Sequence, residues 1–476
     1  MSYEVWTQWV LALVTAFLVG LLAFRSRRRE QRQELSWSGK MYAPVINPSL
    51  IPNYLLVWWA LIPLLMPNGV TWMALSTAQV ILESAVYYAL LLPAMPFLRR
   101  RFSAITCAGL WLLPNAIYVA LNARLGPRRT PLTLFVPRSV GRAAAWIWVL
   151  GAAAVMLWKI SGHFYIRGRL LSGAREADTS AAEALKKECS RTGESKPPRL
   201  VVSPAAATPL AIGGFFGRAA IVLPDQGYTL EELSLIFRHE LVHIQRMDVW
   251  LKLLMVLLTA MCWWNPLMWI AVKYSARDVE LGCDESVLLG ADDAQRRSYA
   301  RLLLTQAGDQ RGFTTCLSAS AEALRYRLRG VMSPGKKRSG ALLVAVAVFA
   351  LVAAYGWIAV AAEAGTAEEL FFGGDSAAAA RGLWMVTGPE GPMECVDPQA
   401  LTEYLGDAPL YYLAVSAPVT DGYCFVYETN AGDRGSVFLY LSADGERLYT
   451  RFPKAIYATP VKLDTGYVDR LLRCVD

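Results

Sequence analysis

"RHELVHIQRMD", residues 238–248, carries two of the three histidines in a chain of 476 residues. His239 and His243 stand four apart with Glu240 beside the first, inside the longer run "TLEELSLIFRHELVHIQRM" (229–247). That run reads as an amphipathic helix. Thr229, followed three residues later by Glu232, fits a capping box at its start. Leu233, Phe237, Leu241 and Ile244 supply its apolar stripe. At 3.6 residues per turn the two histidines share a face well away from that stripe. Core packing therefore does not account for them. Two imidazoles one turn apart suit adjacent ligand positions of one zinc ion. Glu240 is then placed to take a proton from a water rather than to bind the metal.

A catalytic zinc takes three protein ligands and keeps one position open. No histidine follows His243, and Arg246 and Val249 stand where an HxxGxxH continuation needs glycine and histidine. A carboxylate must complete the set. "ARDVELGCDESVLLG" (276–290), a second helical stretch, offers Asp278, Glu280, Asp284 and Glu285. Glu280 and Asp284 share a face at i, i+4, so one can bind metal while the other hydrogen-bonds a histidine N–H. Between the two helices lies "VWLKLLMVLLTAMCWWNPLMWIAV" (249–272). A membrane crossing there puts His243 and Glu280 on opposite sides, so it reads as two short helices bent at Pro266. They pack against the metal-site helices or dip into the near leaflet.

The rest of the composition belongs to a membrane. Hydrophobic residues make up 55% of the chain, charged residues only 18%, and there are 16 tryptophans. The net charge of +8 comes from arginines beside apolar runs, so nucleic acid is not an implied direct partner. Eight cysteines without a CxxC pair speak against a zinc ribbon or a disulfide scaffold. Apolar runs at about 5–24, 50–66, 71–98, 104–121, 143–160 and 341–362 predict six spans, both termini outside, and residues 161–339 in the cytoplasm. "RSRRRE" follows the first run, so it reads as a retained span rather than a signal peptide. The loop 122–142 carries five arginines yet falls outside, against the positive-inside trend. His163 adjoins the end of a span and reads as interfacial.

Ahead of the metal helix, residues 172–200 predict a helix and then a linker, and "RLVVSPAAATPLAIGGFFGRAAIVLP" (199–224) predicts short strands. Residues 363–476 read as an outer α+β or β-rich domain with a flexible start, a helix at "DPQALTEYLG", and strands "YYLAVSA", "YCFVYET", "SVFLYLSA" and "RLYTRF". Cys395, Cys424 and Cys474 leave room for one disulfide there, with Cys395–Cys474 the first candidate.

"HELVHIQRMD", "WWNPLMW" (263–269), the ExxxD within "RDVELGCDESVL" and the preceding "TPLAIGGFFGRAAIVLP" together resemble the BlaR/MecR-type membrane metallopeptidases, the antirepressor family. The resemblance covers roughly residues 75–362. It implies Glu280 as the third zinc ligand, Asp284 as its support, and a cytoplasmic protein such as a transcriptional repressor as substrate. It maps the family's four spans onto 71–98, 104–121, 143–160 and 341–362, leaving residues 1–70 as an extension with two further spans. Arg246 and Asp248 match the family's HxxRxD, read as charges pairing at the helix end, and Cys283 reads as plain packing. "QRGFTTCLS" (310–318) is a candidate self-cleavage region. The tail departs from the beta-lactam sensors: none of Ser376, Ser416, Ser436 or Ser442 has a lysine three residues on, and there is no KTG. An unknown outer ligand acting through the last span is the expectation that remains.

The fold class expected is thus mainly α: a multi-span cell-membrane protein with a cytoplasmic gluzincin-like α+β protease block and a small extracytoplasmic domain. The competing readings are a housekeeping HtpX-type membrane protease and a catalytically inactive receptor or scaffold.

Overall fold

A computed structural model describes residues 3–34, 39–42, 44, 47–65, 69–120, 132–212, 218–308, 321–332, 337–372, 374–413, 422–428, 436–450 and 455–474. The first third is built from long apolar helices: α1 (Tyr3–Gln31), α2 (Leu50–Leu65), α3 (Gly69–Arg101), α4 (Ala104–Ala120) and α5 (Arg138–Leu171), with a strand, β1 (Leu132–Val136), before α5. Among the described residues, three helical stretches are long and apolar enough to cross a bilayer: Trp9–Gln31, Met73–Arg101 and Arg138–Leu171. They turn large side chains outward, as Phe17 on α1, Leu90 on α3 and Trp146, Leu157 and Trp158 on α5 do. Such exposure suits lipid, not water. At 34 residues α5 is about 51 Å long, well beyond a hydrocarbon core of about 30 Å. Its last turn carries Leu170 into a cluster with Val201, Ala206, Ile212 and Val222 of the next unit.

That unit opens with β2 (Arg175–Glu176), α6 (Thr179–Thr192), β3 (Arg199–Ser203), β4 (Leu210–Ile212) and β5 (Ala220–Pro224). Asp178 caps α6 by accepting from the Ala181 N–H, and Gly193 ends it in the left-handed conformation at φ +74°. The four strands form one sheet in the order β2-β3-β5-β4, with β3 and β5 parallel. Next come α7 (Leu230–Gln245), α8 (Asp248–Met261), α9 (Pro266–Val287), α10 (Asp293–Gly308) and α11 (Ala321–Met332). Phe237 and Leu241 of α7 are buried against Ile221 and Leu223 of the sheet and Val287 and Tyr299 of the later helices. Residues 213–217 and the candidate self-cleavage stretch 310–318 lie outside the described residues.

The apolar run 249–272 is two helices, broken where Asn265 caps α9 and Pro266 takes its first position. Neither packs with the core around α7 alone. Leu254, Leu258 and Met261 of α8 and Met268 and Ala271 of α9 pack with Tyr88, Met95, Leu110 and Trp111 of α3 and α4. The Trp148 indole of α5 donates to the Met261 carbonyl at 2.7 Å.

The final apolar run is helical over a shorter length than its hydropathy predicts. Helix α12 spans Ala341–Ala354, about 21 Å, and Ile358–Thr366 is a strand, β6. Gly356, at φ +81°, makes the turn between them. Helix α12 lies closely along α1, where a Cβ on Gly20 would sit 2.8 Å from the Cβ of Ala345. Strand β6 pairs in parallel with β1, Leu132 opposite Ile358 through Val136 opposite Ala362. At the other end of the helices, Phe102 forms a parallel bridge with Arg338.

The remaining elements are α13 (Ala367–Phe371), α14 (Ser376–Arg381), β7 (Leu383–Gly388), β8 (Gly391–Cys395), α15 (Pro398–Gly406), β9 (Pro409–Leu413), β10 (Gly422–Glu428), β11 (Ser436–Ser442), β12 (Arg447–Thr450), β13 (Ala455–Ala458), α16 (Thr465–Arg470) and β14 (Leu472–Cys474). They make one sheet in the order β1-β6-β9-β13-β12-β11-β10-β7-β8-β14. Leu401, Leu405, Phe425, Leu439, Leu441 and Leu448 fill its core. Within the described residues, a strand runs through each of the four expected stretches and a helix spans 398–406, while 414–417, 429 and 451–452 lie outside the described residues. The expected flexible start is not present: Glu363–Thr366 continues β6, and Thr366 and Glu369 build a capping box for α13. The Cys395–Cys474 disulfide is also not formed. Cys395 is a free thiol, and its backbone neighbour on β14 is Leu472.

Candidate active site

The site is made where α7 and α9 meet. Thr229 and Glu232 form the reciprocal capping box, with the Glu232 N–H donating to Thr229 Oγ1 and the Thr229 N–H donating to Glu232 Oε2. This fixes the start of α7 and hence the phase of its histidines. The Nε2 atoms of His239 and His243 lie 3.2 Å apart, with ring planes at 77°. Glu280 reaches in from α9, one carboxylate oxygen 3.6 Å from His239 Nε2 and the other 3.6 Å from His243 Nε2.

Two donors on one tetrahedral ion, each about 2.0–2.1 Å from it, are roughly 3.3–3.4 Å apart. The spacing of the three donor groups therefore fits a single divalent ion. The donor chemistry agrees, since two imidazoles and one carboxylate form a mixed set that borderline divalent metals accept.

The far side of each ring is fixed as well. His243 Nδ1 is 2.6 Å from Asp248 Oδ2, an N–H donated to a buried carboxylate. The connection from α7 to α8 makes this contact: Met247 takes φ +58°, the left-handed region, and the chain doubles back so that Asp248 opens α8 beneath His243. His239 Nδ1 is 2.9 Å from the Tyr299 hydroxyl on α10. Burial, and next the neighbouring Asp284 carboxylate, push the Tyr299 phenol well above its usual range, so it keeps its proton. That proton goes to Asp284 at 2.6 Å, leaving the Tyr299 oxygen to accept from His239. Asp284 is held in turn by two hydrogen bonds from Arg327 on α11, at 2.8 and 2.7 Å. Both rings thus present Nε2 to Glu280. Burial works to raise the Glu280 pKa, but facing His243, then His239 and Arg327, outweighs it and holds the carboxyl well below the usual range.

Glu240 is buried and, among the described residues, has no hydrogen-bond or ion-pair partner. A buried carboxylate without a partner is available to exchange protons.

His239, His243, Glu280 and Asp284, all singled out in the sequence, come together, and Glu240 is buried beside His239 on α7. The other two acidic candidates turn elsewhere. Asp278 accepts from Arg99, Trp111 and Tyr326, and Glu285 from the Ala104 N–H and Lys337. His163 sits on α5 against Phe164. Two further readings gain named partners. Arg246 and Asp248 do not pair with each other: Asp248 holds His243, while Arg246 donates to Glu30 of α1 at 2.8 Å and to Ser286 at 2.7 Å. Cys283 is buried as expected, but its sulfur lies 3.6 Å from His243 Nδ1, so it packs on a ring of the site. Tyr299, Arg327 and Glu30 carried no local signal in the sequence.

An HExxH-type helix, a glutamate from a second helix and orienting carboxylates behind the rings are the layout of a metallopeptidase. A model of the BlaR1 peptidase M56 family matches residues 84–330, more than half of the chain, and the chain belongs to that family. It is also 25% identical over 186 residues to Regulatory protein BlaR1 of Bacillus licheniformis. That match takes in 38% of this chain and 30% of the relative, so the aligned stretch spans less than a third of the relative's length. The family is one of metallopeptidases, and the match runs from within α3 to the end of α11, covering the whole cleft.

Proposed function

We propose that this protein is a multi-pass membrane zinc endopeptidase of signal transduction, cleaving a cytoplasmic protein such as a transcriptional repressor in response to a signal outside. The convergence of His239, His243 and Glu280 on one point carries the reading. A zinc ion held by these three residues supplies Lewis-acid polarisation of the scissile carbonyl and lowers the pKa of a water beside it. Glu240 takes the proton of the attacking water and returns it to the leaving amine. Asp248 and Tyr299, with Asp284 and Arg327 behind Tyr299, keep both imidazoles in the binding tautomer and orientation.

The topology follows six spans, α1 to α5 and α12, with the protease block on the inner side and the C-terminal sheet outside. The pairing of β1 with β6 supports it, because the α4–α5 connection and the tail then share one side. The bridge of Phe102 to Arg338 puts the α3–α4 turn and the start of α12 together at the other end, beside the protease. Residues 1–70 add two spans before the three at 71–160; 161–339 form the protease, 340–362 lead out, and 363–476 make the outer domain. Helix α8 and the first half of α9, packed among α3, α4 and α5, dip towards the bilayer without crossing it.

The test is proteomics of intact cells carrying wild type or Glu240→Gln. One cytoplasmic protein, shortened only in wild type, is the expected result. A response to stimulus that persists with Glu240→Gln sinks the protease reading in favour of a receptor or scaffold, and broad turnover of misfolded membrane proteins favours an HtpX-type role.

A further inference from the structure

A cavity of about 330 Å³ opens where α3, α9 and α11 meet, away from the metal cleft. Arg99, Arg277, Arg325 and Arg329 line it, together with Tyr274 and Tyr326. Four arginines thus line one small space. The nearby carboxylate, Asp278, cannot balance them. It already accepts four hydrogen bonds: Arg99 at 3.0 and 2.8 Å, Trp111 at 2.8 Å and Tyr326 at 2.6 Å. Those fill its acceptor sites. Arg325 and Arg329 have no carboxylate partner among the described residues. Aromatic faces hold two of the cations in place: Arg99 lies 5.0 Å from the Tyr274 centroid and 5.3 Å from that of Tyr326, and Arg277 lies 5.4 Å from that of Tyr274. Arg99 gives its N–H fork to Asp278, so the edges offered to an anion come chiefly from Arg325 and Arg329.

We infer that this cavity is a binding site for a phosphate-bearing anion. Planar guanidinium forks match phosphate oxygens in pairs, and several of them around one concave space make a site for a tetrahedral dianion or a phosphodiester. Its position favours a phospholipid headgroup over a free phosphate. Arg99 lies in the last turn of α3, at the end of the span Met73–Arg101, and Leu90 and Phe97 of that helix expose apolar surface. Basic pockets at the inner end of spans take anionic lipid headgroups.

The site also touches the catalytic block. Arg325, Tyr326 and Arg329 line the cavity from α11, and Arg327 of the same helix holds Asp284. A bound headgroup clamps α11 to the end of α3, and with it the residue that fixes Tyr299 and His239. This last step rests on the protease reading; the binding itself does not.

The test uses the full-length protein, wild type and Arg325→Gln/Arg329→Gln, both exposed positions. Retention of phosphatidylglycerol from mixed phosphatidylglycerol–phosphatidylcholine nanodiscs is read by native mass spectrometry, and inorganic phosphate binding by calorimetry. Phosphatidylglycerol held by wild type and weakened about tenfold or more in the double variant establishes a lipid site. Inorganic phosphate bound by wild type and lost in the variant, without lipid preference, establishes a soluble-phosphate site of the same chemistry. Binding of neither probe, or equal binding by both proteins, overturns the proposal. Zinc content, measured on both, reports the fold and the protease reading separately: a chain without zinc that still binds lipid sinks only the latter.

Discussion

Glu30, at the end of the first helix, and Arg246, three residues past His243, form a buried ion pair at 2.8 Å across 216 positions of sequence. Ser286 bonds to both. Arg246 also contacts Cys283, whose sulfur lies on the His243 ring. Helix α1 is therefore not a mere leader to the protease. It runs alongside α12, which leads to the C-terminal sheet, and its end closes on residues that pack against the proposed metal site. Glu30→Gln leaves the Arg246 charge buried without its partner, which costs about 3 kcal/mol. The expected outcome is a clear fall in the thermal midpoint, with partial recovery in Glu30→Asp. An unchanged midpoint means that α1 does not brace the cleft.

Glu240→Gln removes the proton carrier without touching a donor to the metal. Cleavage should fall by about 10²–10⁴-fold, while metal content measured by plasma mass spectrometry stays at the wild-type level. Loss of metal in this variant would reassign Glu240 to the ligand set.

Asp248→Asn and Tyr299→Phe each loosen one imidazole while leaving all three donor groups in place. Each should weaken zinc binding by about 10–100-fold, seen in competition with a chelator of known affinity. The double variant should lose more than either, because the two act on different rings. Chelation of the wild type should abolish cleavage, with recovery on zinc addition.

What the sequence made legible, and what it hid, divides along the range of the contacts. The histidine pair, Glu240 and the capping box sit within one helix, so a 3.6-residue period suffices to place them. From spacing alone the carboxylate ligand narrows to the pair Glu280 and Asp284, and only the family resemblance chooses between them, since the approach depends on how α9 crosses α7. The role of Asp248 was hidden by Met247, because nothing marks a methionine for the left-handed turn that swings the next residue under His243. Tyr299, Arg327 and Glu30 arrive from distant elements and leave no local pattern. The end of α12 was misjudged for another reason. "IAVAA" (358–362) is apolar whether it continues a span or forms a strand, and a short apolar run does not distinguish the two. The turn at Gly356 and the pairing of β6 with β1 decide it.

That pairing also yields the sharpest test of topology. The connection before α5 is rich in arginine, which by charge alone belongs inside, yet β1 within it is hydrogen-bonded to β6 of the C-terminal sheet. Cysteines placed at Leu132 in β1, at Val461 in the tail and at Glu231 at the start of α7 are all at exposed positions. In a background where Cys395, Cys424 and Cys474 are serine, a membrane-impermeant maleimide should label Leu132→Cys and Val461→Cys in intact cells. Glu231→Cys should label only after permeabilisation. Labelling of Leu132→Cys together with Glu231→Cys instead would mean that charge, not strand pairing, sets the side of this loop. The protease and the tail could then not lie on opposite faces of the bilayer with β1 joined to β6.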